Sequence, residues 1–310
     1  MRPTRILLPT PFAVGPVNAY AFREPPVTLV DPGPLFPPAQ GALDAALRDL
    51  GIARDAIERI LITHHHPDHS GYAPVLAAET GAQIYTHPDT IARMVRPLGD
   101  LDAEEALLRR HGVPEPVLSA MHRELQRILS HVAPLGAVQP IEDGEHVQAG
   151  GDDLRALLVP GHAPGHLAFV GPDYIVGGDV VIAGITPNPV LEVGEEGRRK
   201  SLPEYIASLA RLREFEGLPI LPGHRDEIGE PAPLLARYLE QIEERREQVL
   251  SALGDRTMQA FALSQEFFPL RRGADPFLAL SEVLGHLDLL QERGVVEELN
   301  DGERIFYRRL

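Results

Sequence analysis

Thr63-His64-His65-His66-Pro67-Asp68-His69 places four ligand-type side chains, His64, His66, Asp68 and His69, within six residues, at the spacing His-x-His-x-Asp-His. The run before it, Glu58-Arg59-Ile60-Leu61-Ile62-Thr63, has the apolar character of a short buried strand. Ser70 to Gly81 reads as a helix, with Pro74 in its first turn and Gly81 where helices commonly stop. The four groups therefore stand at the carboxyl end of a strand, where α/β sheets place their sites. Residues two apart in extended chain point the same way, so His64 and His66 can grip one ion. Asp68 and His69 sit where the chain turns and can face a second. Imidazole and carboxylate donors suit Zn²⁺, and also Fe²⁺ or Mn²⁺.

Outward from this stretch, the same event recurs. Leu154 to Val159 reads as a strand that runs into Pro160-Gly161-His162-Ala163-Pro164-Gly165-His166. Leu167–Val170 and Tyr174–Val176 form a hairpin whose second strand ends in Gly177-Gly178-Asp179. Two glycines before an acid imply close backbone approach around the carboxylate. Leu218 to Leu221 runs into Pro222-Gly223-His224. Four strands thus end in a ligand-type residue: His64, His162, Asp179 and His224. Upstream, residues 4–31 look like antiparallel strands, the last leading into Asp31-Pro32-Gly33. Asp31 either caps that turn or supports a metal-binding His from behind.

Between these strands lie helical patterns. Residues 39–50 carry Leu43, Ala46, Leu47 and Leu50 on one face. Residues 89–134 are helical, and their second half shows a stripe of Leu118, Met121, Leu125, Ile128, Leu129 and Val132. The stripe suits a layer packed on the core, a lid, or a dimer surface, so a homodimer is among the expectations. His87 reads as a packing or surface residue, and His111, His122 and His131 have no ligand spacing. Ser201-Leu202-Pro203-Glu204 has the form of a capping box.

Bulk composition narrows the chemistry. At 310 residues, one large domain plus a small one is expected. There are no cysteines, hence no disulfide, thiol nucleophile or thiolate ligand. No Gly-x-Ser-x-Gly elbow is present either. A net charge of −16 disfavours general electrostatic attraction to nucleic acid, and Lys200 is the only lysine. The N-terminal residues lack a secretory pattern and no apolar run is long enough for a bilayer, so a cytoplasmic protein without membrane contact is expected.

After Gly229-Glu230-Pro231 the composition changes. Pro233–Leu253, Thr257–Phe267 and Pro276–Arg293 read as helices, and Gly294–Arg308 as a hairpin around Asn300-Asp301-Gly302. Three helices and a hairpin make the winged-helix pattern. Residues 229–310 hold 10 Arg and 15 acids, 10 − 15 = −5, and the helix that would read bases carries Glu282, Asp288 and Glu292. Base-reading helices are basic, so a structural role is expected. Arg271, Arg272, Arg304, Arg308 and Arg309 could form a local anion patch.

The ordered motifs, His-x-His-x-Asp-His, Pro-Gly-His-x-Pro-Gly-His, Gly-Gly-Asp and Leu-Pro-Gly-His, resemble the metallo-β-lactamase superfamily from about residue 4 to residue 229. Leu29-Val30-Asp31-Pro32-Gly33 is similar to the family's first motif. The resemblance implies an α+β fold: an αββα sandwich over 1–229, with 88–134 as a helical insertion, and a small winged-helix-like domain over 230–310. It implies two divalent metal ions. One would be held by His64, His66 and His162, the other by Asp68, His69 and His224, with Asp179 bridging and His166 behind the ligands. Asp68 would be catalytic, orienting a metal-bridging hydroxide that acts as nucleophile. β-Lactam hydrolysis is not expected, because the true β-lactamases of the superfamily lack the bridging acid found here at Asp179 or use Cys there. The expected activity is hydrolysis of a small-molecule ester-type bond (thioester, carboxylic ester or lactone), with thioester first. The alternatives are a metal-dependent endoribonuclease on single-stranded RNA and a non-catalytic, metal-stabilised scaffold.

Overall fold

The computed structural model describes residues 2–96, 101–194, 197–270 and 275–310. Its strands are short and several are buried on both faces, the composition of strands held between two layers. The first sheet takes β1 (Thr4–Leu8), β2 (Val17–Phe22) and β3 (Thr28–Val30) in antiparallel succession. Helix α1 (Pro37–Asp49) follows, then β4 (Arg59–Leu61), α2 (Pro67–Ser70), α3 (Ala73–Thr80) and β5 (Gln83–Thr86). Next come α4 (Pro88–Val95), α5 (Leu101–Arg110), α6 (Glu115–Leu129) and β6 (Val138–Pro140). From β3 to β6 the strands pair in parallel, giving the spatial order β1-β2-β3-β4-β5-β6.

The second sheet is built from β7 (His146–Ala149), β8 (Asp152–Leu158), β9 (Leu167–Val170) and β10 (Ile175–Gly178), all antiparallel neighbours. A two-stranded ribbon, β11 (Val193–Gly194) and β12 (Gly197–Arg198), and helix α7 (Ser201–Leu212) separate it from β13 (Ile220–Pro222), which pairs in parallel with β10 at the sheet edge. The sheets face each other through Phe22, Val30 and Leu61 on one side and Ala156, Phe169 and Val176 on the other. Outside the first sheet, Leu43 and Leu47 of α1 and Leu76 of α3 cover Ile60 and Ile84. Outside the second, Tyr205 and Leu209 of α7 cover Leu157 and Ile175. The layering is αββα.

The remaining elements are α8 (Pro231–Leu253), β14 (Thr257–Met258), α9 (Ala260–Phe267), α10 (Pro276–Glu292), β15 (Val296–Asn300) and β16 (Ile305–Arg309). The three strands form one small sheet ordered β14-β16-β15. Asp275 caps α10, its Oδ1 accepting from the backbone N–H of Phe277 (2.9 Å) and Leu278 (3.0 Å). The core of this region, with Leu280, Leu284 and Leu287, also takes in Leu108 of α5 and Leu118 of α6.

Three sequence expectations need correction. Thr257–Met258 is a strand, because Arg308 and Tyr307 offer it a pairing edge. Pro67 to Thr80 forms two helices instead of a loop and one helix, so Asp68 and His69 lie on the short α2. Ser201 is not a cap: the N-cap is Lys200, and the Ser201 hydroxyl donates to the Val190 carbonyl at 2.7 Å. Gly81 does stop α3, in a left-handed conformation. Arg271 and Arg272 lie outside the described residues. Arg308 is engaged by Glu297, its Nε donating at 2.9 Å. Among the described residues no helix is long and apolar enough to cross a membrane.

Candidate metal centre

Loops at the ends of β4, β8, β10 and β13 carry the four motifs to one edge of the sandwich. All seven expected ligand residues meet there, in three overlapping groups: His64, His66 and His162; His64, His69 and Asp179; Asp68, His69 and His224. In each group the donor atoms lie within 4.8 Å of one another. His66 Nδ1 is 3.0 Å from His64 Nε2 and 3.1 Å from His162 Nε2. On the other side, His224 Nε2 is 3.1 Å from Asp68 Oδ2. Asp179 stands between: its Oδ2 is 3.8 Å from His162 Nε2, 3.4 Å from His69 Nε2 and 3.5 Å from His224 Nε2.

The opposite ring nitrogens face hydrogen-bond acceptors. His69 Nδ1 lies 2.9 Å from Asp31 Oδ2, and His224 Nδ1 2.7 Å from the Pro16 carbonyl. His162 Nδ1 lies 3.2 Å from the Asn188 carbonyl, and His64 Nδ1 3.0 Å from Thr63 Oγ1, whose own proton goes to Asp31. An N–H donated backwards aims Nε2 into the cluster, where giving up its proton to an incoming ion exposes the lone pair a ligand needs. Asp31 thus takes the supporting role, and its backbone sits at φ 51°. It also accepts from the Thr63 backbone N–H at 2.8 Å, tying the β3 end to the β4 end. His166 Nε2 accepts the backbone N–H of Asp179 at 3.1 Å and its ring stacks on His64. Asn188, Pro16 and Thr63 as supporting groups carry no spacing pattern that sequence reading could have used.

Two glycines make the close approach. A Cβ on Gly223 would lie 2.3 Å from Asp179 Oδ1 and 2.5 Å from His69 Cε1. Gly178 has φ +52°, and a Cβ there would meet Thr63 Oγ1 at 2.6 Å. His87 is elsewhere: its Nδ1 accepts from the Asp89 backbone and caps α4.

Electrostatics suits the same use. Burial, reinforced by neighbouring imidazoles, holds His64 and His66 well below the usual histidine range, and burial lowers His162 too. Their rings are neutral. Burial works to raise Asp68 and Asp179, but the facing His69 and His224 outweigh it and hold both acids lowered, while the acids in turn raise His69 and His224. His69 Nε2 and Asp179 Oδ1 are fully buried and make no hydrogen bond. Buried polar atoms normally find partners, and two that point into a nest of His and Asp donors fit a cation. A cavity of about 640 Å³ opens beside the cluster, bordered by His66, Asp68, His162 and Asp179. The same cavity borders His65, Arg93 and Glu192, which sequence reading did not single out. Arg93 and Glu192 form an ion pair, and burial lifts the Glu192 carboxyl to about 7 despite Arg93.

Comparison with known proteins agrees with this geometry. The chain is 29% identical over 309 residues to a probable metallo-hydrolase, YqjP, of Bacillus subtilis, covering 98% of this chain and 96% of that one. It is similar to the crystal structure of the metallo-beta-lactamase family protein TTHA1429 from Thermus thermophilus at 29% identity, with a TM-score of 0.85 over 99% of this chain and 98% of that one. A hydroxyacylglutathione hydrolase of Albidiferax ferrireducens is 28% identical over 158 residues, 51% of this chain and 42% of that one. The family model for the metallo-beta-lactamase superfamily matches residues 13–224, the span that carries all seven converging side chains and every strand of the two sheets but β1, and the chain belongs to that superfamily.

Proposed function

We propose that this metallo-hydrolase holds two divalent metal ions and cleaves an ester-type bond, with acyl thioesters as the first substrate class. The observation that carries the reading is the position of Asp179, whose Oδ2 lies within 3.8 Å of Nε2 of His162 on one side and of His69 and His224 on the other. One carboxylate shared in this way suits a pair of ions. His64, His66 and His162 would hold one; Asp68, His69 and His224 the other. Such a pair, when bound, supplies an acidified water and polarisation of the carbonyl oxygen. Zn²⁺ is the first candidate for this donor set, with Fe²⁺ or Mn²⁺ next.

The chain's own groups set up the rest. Asp68 is 8% exposed and borders the cavity, so its carboxylate can orient a water and take its proton. The water oxygen bonds to the carbonyl carbon, the carbon–sulfur bond breaks, and acid and thiol leave. Similarity to hydroxyacylglutathione hydrolases, whose name specifies a thioester substrate, supports this class over lactones and simple esters.

We assign residues 230–310 a structural role, as a small winged-helix-like domain packed on the catalytic domain of residues 1–229. Helix α10 is the helix that would read bases, and its residues 279–281 and 283–290 are buried. A helix so enclosed cannot enter a groove. Groove reading by this domain is therefore disfavoured.

The test is a panel of acyl thioesters, carboxylic esters, lactones and labelled single-stranded RNA with metal-loaded protein. Thioester hydrolysis that disappears in His64→Ala is the expected result. RNA cleavage dependent on His64 without thioester turnover overturns the reading, and no turnover of any substrate by fully loaded protein favours a scaffold.

A further inference from the structure

The cavity in front of the cluster has two unlike walls. Helix α6 is amphipathic, yet its apolar stripe is not packed away along its whole length. Leu118, near its start, is 3% exposed and joins the core around α10. Met121, Leu125, Ile128 and Leu129 are only half-buried and line the cavity, and Phe277 and Leu278 line it from the start of α10. Continuous apolar surface left facing a cavity of this size is the usual mark of a small-molecule site, which holds roughly 300–1,000 Å³. The cavity also borders Asp68, His162 and Asp179, so whatever fills it ends at the reacting centre.

Charge on the lining excludes other occupants. Arg93, the one arginine among the described lining residues, is already paired with Glu192. His122 Nε2 lies 2.7 Å from Glu105. A ligand carboxylate or phosphate would find no unpaired guanidinium among the described lining residues, and Glu104 and Glu105 add further carboxylates to the lining.

We propose that this cavity is an acyl subsite, and that the substrate's acyl group is a long, uncharged aliphatic chain laid along Leu125 and Ile128 with its carbonyl at the His/Asp cluster. The proposal rests on the ester-type reading above and names its substrate class. Each methylene moved from water onto the apolar wall favours binding by up to roughly fourfold, the factor that corresponds to about 0.8 kcal/mol per CH₂.

The experiment measures binding first. Ketone analogues in which a methylene replaces the thioester sulfur are titrated calorimetrically into metal-loaded protein, with acyl groups from acetyl to dodecanoyl. Affinity is expected to climb with length until the wall is covered. Ile128→Glu should weaken the dodecanoyl analogue by at least about tenfold and leave the acetyl analogue unchanged. Leu125→Ala is the milder variant, and thermal melts check that both fold. The value of kcat/KM for the matching thioesters should follow the same climb. Affinity indifferent to chain length, or a climb untouched by both variants, overturns the subsite even if short thioesters are hydrolysed. A climb abolished by the variants but unaccompanied by any hydrolysis keeps the subsite and overturns the ester-type reading.

Discussion

The strand-end edge of the sandwich and the α10 layer both bury ionisable side chains, and they treat them in opposite ways. On α10, Asp288 is 0% exposed and is met by both arms of the Arg198 guanidinium, with Nη1 2.7 Å from Oδ2 and Nη2 on Oδ1. That pair closes on itself. At the strand ends, seven side chains converge while His69 Nε2 and Asp179 Oδ1 make no hydrogen bond. Orphaned atoms alone do not mark a site. His111, near the hairpin, has both ring nitrogens unpaired, but it is solitary, stacked on Tyr307, and pushed by burial to about 3, so it packs as a neutral aromatic ring. Convergence of several donors on one point separates a candidate centre from a core histidine.

The largest stability effect should come from breaking the closed pair. Arg198→Ala leaves the Asp288 carboxylate buried alone, and should cost about 3–5 kcal/mol in urea unfolding. A loss under about 1 kcal/mol would mean that water reaches Asp288, and the contrast between the two regions would fail. On the open side, Asp31→Asn should keep the fold, because Asn tolerates a left-handed backbone. It should weaken metal affinity by about 10–100-fold, read by competition with a chromogenic chelator, since His69 loses its anionic anchor. Unchanged affinity would demote Asp31 to a turn residue.

The smallest effect belongs to Glu243, which accepts from Arg246 and Arg293 and so links α8 to the end of α10. Those hydrogen bonds lower its carboxyl to about 2. A lowered acid stabilises the fold above its ordinary pKa of 4.5 and loses that contribution as pH falls towards 2. Because the side chain is 45% exposed, Glu243→Gln should cost less than about 1 kcal/mol at neutral pH. The gap between wild type and variant should close on acidification, and a gap that widens would reverse the sign.

Much of the centre was legible in the sequence because ligands sit at strand ends, where short motifs report both the strand and the turn after it. His64 and His66, two apart, and Gly177-Gly178 before Asp179 are local facts with local consequences. The apolar stripe of α6 was legible as a face, but periodicity says nothing about what a face meets: the whole stripe borders the cavity, and only Leu118 and Met121 also join the α10 core. Arg93 and Glu192 are far apart in sequence and meet only in the fold. Ser201 fits a capping pattern, yet the Val190 carbonyl competes for its hydroxyl and the helix starts one residue earlier. Thr257–Met258 is too short to show any period, and only the edge of β16 makes it a strand.

Metal content tests the central claim most directly. Protein loaded with Zn²⁺, freed of excess ion and subjected to elemental analysis should carry two ions per chain, and Asp179→Ala should lose bound metal and hydrolytic activity together. Wild-type protein without stoichiometric metal, or an Asp179→Ala variant that keeps both ions, would contradict it.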